Sequence, residues 1–141
     1  MALLTVGANV AGFAAILWLW LTGGGAVDVP WAPALELRLH VELDGLGALY
    51  GILATGIGAL VAAYATAYLP RHLEHQDRPA SDATRFWAAF GLFAVAMVGL
   101  ACAQDLVLLF VFWDLTAVAS WALIGFDRHQ RAARSGALMA C

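Results

Sequence analysis

The residue with the strongest claim to chemistry in this 141-residue sequence is Asp114. It stands in the run LVLLFVFWDLTAVASWALIGF, Leu106 to Phe126, which holds no other charge. Such a run is long enough to cross a bilayer as a helix, and a carboxylate near its middle costs about 2.5–3.5 kcal/mol even on the lenient insertion scale. An acid kept at that cost suits proton binding or cation pairing along a transport path. The plain alternative is a buried Asp retained for packing or a hydrogen bond.

Nothing else in the apolar runs answers that charge. The chain has no Lys, its seven Arg lie in connectors and tail, and none of its four His falls in a span. Thr116 and Ser120 share the helix, but at 100° per residue they point roughly 120 to 160° away from Asp114. The partner is therefore expected to be a chain of water or a residue outside these 141. Other chemistry is thin. His72, Glu74 and His75 lack the spacing of four that paired His ligands take on a helix, and no Cys lies near enough to complete a zinc site, so a solvated charged loop is expected there, and no metal or cofactor. Cys102 and Cys141 are expected on opposite sides of the membrane and unbridged.

The elements that must hold Asp114 follow from composition. The sequence is 63% hydrophobic and 12% charged, with fourteen Gly, far more apolar than a chain this short could hide in one core. Four windows, Met1–Leu21, Leu46–Leu69, Phe86–Ala103 and Leu106–Phe126, contain only the one charge of Asp114. As helices they are roughly 27 to 36 Å long, matching a hydrocarbon core of about 30 Å. Helices are required because lipid offers the backbone no hydrogen-bond partner. A cleaved signal peptide is the rival reading of Met1–Leu21, but that segment lacks a basic start and its apolar run is too long. A net charge of −3 leaves no basic footprint for nucleic acid.

The arginines set the expected orientation. Arg71, Arg78 and Arg85 lie in the connector 70–85, Arg128, Arg131 and Arg134 in the tail 127–141, and only Arg38 in the connector 22–45. By the positive-inside rule, the N-terminus, the second connector and the tail are cytoplasmic. In the outer loop, Leu35, Leu37, Leu39, Val41 and Leu43 alternate with Glu36, Arg38, His40, Glu42 and Asp44, which predicts a short strand or hairpin arm. Ser81 or Asp82 is placed to cap the third helix. The second span carries Gly47, Gly51, Ala54, Gly58, Ala62 and Ala65 at helical spacing, a face on which another helix can pack closely. The first span has Asn9 and two Trp near its outer end, Trp18 and Trp20, which suits an interfacial anchor.

From Leu43 onward the sequence resembles a known family. The run LDGLGALYGILATGIGALVAAYATAYL (Leu43–Leu69), RFW at Arg85–Trp87, and AQDLVLLFVFWDLTAVASWALIGF (Ala103–Phe126) resemble the proton-translocating subunit shared by respiratory complex I and the Mrp-type cation/proton antiporters. Leu115 and Thr116 after the acid look more like the Mrp large subunit. The resemblance covers Leu43 to Ala140. It implies that Asp114 takes the position of an intramembrane acid, usually Glu in the family, which pairs with a Lys on a later helix. Asp is one methylene shorter. Family members are much longer, so the resemblance implies a fragment or one piece of a split subunit.

The expected fold is an all-α membrane protein, one domain over 1–141. It has four transmembrane helices, a short outward-facing strand or hairpin between the first two, and the form of a partial antiporter-like bundle. The expected function is a membrane segment of a proton- or cation-translocating subunit in the bacterial plasma membrane. Asp114 is its proton-binding acid, other membrane subunits of an antiporter or respiratory complex and the lipid bilayer are its partners, and protons, with Na+ second, are its ions. It would not be an enzyme by itself, though it could be a subunit of a translocase such as NADH-quinone oxidoreductase. The alternative is a structural or assembly element without transport of its own.

Overall fold

The computed structural model describes residues 2–32, 37–76, 78–79 and 81–127. Leu35 and Glu36 of the predicted strand, the arginines of the tail and Cys141 lie outside the described residues. Four helices, each long and apolar enough to cross a membrane, make up the body: α1 (Ala2–Leu21), α2 (Gly45–His75), α3 (Ser81–Cys102) and α4 (Leu106–Ile124). A 3-10 turn, Gly125–Asp127, follows α4. Between α1 and α2 the strands β1 (Ala26–Ala32) and β2 (Leu37–Glu42) form an antiparallel hairpin. The four helices and the hairpin are the architecture expected from the sequence.

Aspartates start two of the helices. Asp44 accepts from the Gly47 N–H at 2.6 Å and caps α2, and Asp105 accepts from Val107 N–H at 2.7 Å to cap α4. Each satisfies an N–H that the first helical turn leaves without a partner. The hairpin places Val27 opposite Val41 and Val29 opposite Leu39 on one face, and Asp28 opposite His40 on the other. Arg38 Nε donates to Asp28 at 2.8 Å across the hairpin. Val41 bridges to Ala103, and the Gln104 N–H donates to the His40 carbonyl at 3.0 Å, which pins the hairpin to the α3–α4 turn. Gly24 has a positive φ of 80°, and a Cβ there would stand 2.7 Å from the Leu43 carbonyl oxygen. Only Gly lets the chain enter β1 along this path.

The structure corrects the expected boundaries of the second connector. In place of a loop over 70–85, α2 continues through Pro70 to His75 and α3 already begins at Ser81. The reason is burial. Leu73 falls one turn after Leu69, and both are buried in a cluster with Ala62, Ala65, Trp87 and Phe90. The gain from two buried leucines offsets the one helix hydrogen bond that Pro70 cannot donate. Asp82 consequently sits inside the first turn of α3 and binds Arg78, and neither it nor Ser81 is the residue preceding the helix.

Each helix packs on its neighbour in sequence, α1 on α2, α2 on α3 and α3 on α4. Most other large apolar side chains point outward, as a lipid-facing or partner-facing surface requires.

Candidate functional site

Asp114 is at the middle of α4, and the packing of that helix decides where it points. Leu108 and Ala119 are buried, and the Phe112 ring lies directly on Gly99 of α3, where a Cβ would collide with it. Leu108, Phe112 and Ala119 fall on one stripe at helical spacing. Asp114 is about 140° round the helix from that stripe. It is exposed on the outward face, flanked by the exposed Val107, Phe110, Val111, Val118 and Trp121. No described residue gives it a hydrogen bond or an ion pair. Thr116 turns its hydroxyl back onto the Trp113 carbonyl at 2.6 Å. The carboxylate is thus midway along an apolar helix and presented on the face turned away from α3.

The glycines and alanines of the packing stripe do not share one partner. A Cβ on Gly47 would stand 3.1 Å from the Ala101 carbonyl oxygen, on the α3 side. Gly51 faces Ile16 of α1 at 3.1 Å, and Gly58 faces Asn9 of α1 at 2.6 Å on the same measure. Ala54, between them, is half-buried, and Ala62 and Ala65 lie in the cluster with Trp87. The stripe therefore turns from α3 to α1 and back to α3 along α2.

Two polar residues at the α1–α2 contact carry more weight than their sequence positions suggest. Asn9 is 5% exposed; its Nδ2 donates to the Thr5 carbonyl at 2.9 Å, while Oδ1 is buried with no partner among the described residues. Thr55 is 4% exposed and donates to the Gly51 carbonyl at 2.7 Å. The only signal available was a polar residue inside an apolar run.

At the other end of the bundle Arg78 ties three elements together. Its side chain is 8% exposed, lies 2.8 Å from Asp82, donates to the Phe126 carbonyl at 2.9 Å, and stacks 4.3 Å above the Phe126 ring. It thus holds the end of α4 against the α2–α3 connector. His72 interacts with Tyr68 at 3.2 Å and Gln76 at 3.3 Å, and His75 with the Arg71 carbonyl at 3.1 Å. Among the described residues no three His, Cys, Asp or Glu come together as a metal site.

The chain is similar to several known proteins. It is 38% identical over 126 residues to a probable K(+)/H(+) antiporter subunit of Rhizobium meliloti, covering 88% of this chain and 12% of that protein. It is 36% identical over 116 residues to an Na(+)/H(+) antiporter subunit of Alkalihalophilus pseudofirmus, covering 81% and 14%. Its fold matches a chain in the structure of the Mrp complex from Dietzia sp. with a TM-score of 0.73 and 30% identity, over 92% of this chain and 14% of that one. No family model matches. The chain thus spans about an eighth of the length of these relatives, and an alignment of 126 residues extends upstream of Leu43, where the resemblance in the sequence begins.

Proposed function

We propose that this chain, 30–38% identical to large Mrp-type antiporter subunits over most of its length, is a segment of such a subunit and serves proton or cation translocation, with Asp114 as the acid that binds the ion. The observation that carries this reading is the outward presentation of a lone carboxylate at mid-helix. A residue kept only for packing would be expected to turn toward α3, where Leu108, Phe112 and Ala119 make the contact. An outward carboxylate instead needs a cation, a water chain or a proton supplied from elsewhere in an assembly. Other membrane subunits are the source of that partner. The transported ions are protons exchanged against Na+ or K+, the ions in the names of the relatives.

The membrane is the bacterial plasma membrane, with the α2–α3 connector on the cytoplasmic side. Arg71, Arg78 and Arg85 near that connector against Arg38 alone in the hairpin support this orientation.

The test is Asp114→Asn in the assembled antiporter, reconstituted in vesicles. Asn keeps the shape and removes the ionisable group. Cation-driven proton flux is expected to fall at least tenfold with assembly unchanged. Undiminished flux refutes the role, and lost assembly with intact flux per complex would make Asp114 a structural residue.

A further inference from the structure

Where α2 ends and α3 begins, a cavity of roughly 490 Å³ opens between α1, α2 and α3. Its wall is apolar, formed by Ala2, Leu69, Leu73 and the buried Trp87. Its mouth is polar, carrying Glu74, Arg78 and Thr84. From Thr66 to Glu74 it follows about 12 Å of α2, at 1.5 Å per residue. Such a volume is in the range of small-ligand sites. An apolar wall with a charged rim, at the end of helices that cross a membrane, suits an amphiphile better than a water-soluble metabolite.

The charge on the rim narrows the choice. Arg78 stands 2.8 Å from Asp82, which Arg85 also approaches at 3.9 Å. Glu74 has no hydrogen bond or ion pair with any described residue, so at the mouth its carboxylate is open to a ligand's cation beside the basic Arg78. An anionic headgroup would add repulsion there. A primary ammonium brings three N–H donors to a carboxylate, whereas a quaternary ammonium brings none. We infer that this cavity binds a membrane phospholipid with an ethanolamine headgroup. The ammonium pairs with Glu74, the phosphate lies toward Thr84 and Arg78, and the acyl chains run along Leu69, Leu73 and Trp87.

The test titrates the purified full chain, in detergent and observed by native mass spectrometry, with phosphatidylethanolamine, phosphatidylcholine and phosphatidylglycerol of identical acyl chains. Phosphatidylethanolamine is expected to bind about tenfold more tightly than phosphatidylglycerol, the effect of one charge-assisted hydrogen bond. Glu74→Gln should bring the two lipids to equal affinity without weakening phosphatidylglycerol. Ala83→Trp, which fills the cavity, should weaken all three, with helix content checked by circular dichroism. Should that variant lose helicity, Glu74→Gln decides alone, since Glu74 is exposed. Equal affinities in the parent chain, or an ethanolamine preference that survives Glu74→Gln, would overturn the inference. So would capture of a polypeptide segment, in place of lipid, by a photo-cross-linker at position 74 in the assembled complex.

Discussion

Removing Arg78 tests how the end of α4, and with it the helix that presents Asp114, is held. Arg78→Ala deletes a guanidinium that is 2.8 Å from Asp82, 2.9 Å from the Phe126 carbonyl and 4.3 Å above the Phe126 ring. Removing one partner of a buried pair costs about 3–5 kcal/mol because the other is left without compensation. Here the cost is smaller. Asp82 keeps Arg85 at 3.9 Å, and its own side chain retains 16% exposure to solvent, so about 2–3 kcal/mol remains. Arg78→Lys keeps the charge but cannot fork to Asp82 and Phe126 together while lying flat on the ring, and about 1–2 kcal/mol is lost. Arg85→Ala is the control, since its side chain is 62% exposed and its pair with Asp82 is long; a change under about 0.5 kcal/mol is expected. Equilibrium unfolding of the chain in mixed micelles, followed by circular dichroism, measures all three. A loss under about 0.5 kcal/mol for Arg78→Ala, or equal losses for Arg78→Ala and Arg85→Ala, would refute the reasoning.

Two further outcomes follow from the geometry. Gly99→Ala places a methyl group inside the Phe112 ring, so α3 and α4 must separate or the ring must turn; about 1–3 kcal/mol of stability should be lost, and Phe112→Leu in the same chain should restore part of it. An undiminished unfolding free energy for Gly99→Ala would show that the contact is loose. In the hairpin, the hydrogen bond from Arg38 holds the Asp28 carboxyl below the usual carboxylate range. Its contribution is therefore full above about pH 3.9, the unfolded value, and is lost as pH falls through the lower folded value. Amide exchange protection at residues 27–29 should fall across that acid window and lose this dependence in Asp28→Asn.

The spans were legible because they answer to a condition that acts on each segment alone. A helix in lipid must be apolar along its length and must satisfy its own backbone, and both requirements are written in local composition. The hairpin was legible for a similar reason, since Leu37, Leu39 and Val41 alternate with Arg38, His40 and Glu42. The exit of α2 was not legible, because Arg71, His72, Glu74 and His75 read as a solvated loop while Leu73 is drawn into the helix by Trp87, a residue of another element.

The sequence by itself determined that this chain holds four segments long and apolar enough to cross a membrane and one carboxylate within them, because charge and hydrophobicity are counted residue by residue. Only the tertiary structure decided which way that carboxylate points. The direction depends on Phe112 meeting Gly99 and on Arg78 reaching Phe126, contacts between helices that come together only when the chain packs. The same packing buries the Asn9 oxygen against Gly58 and opens the cavity beside Trp87, since both depend on the spacing between helices.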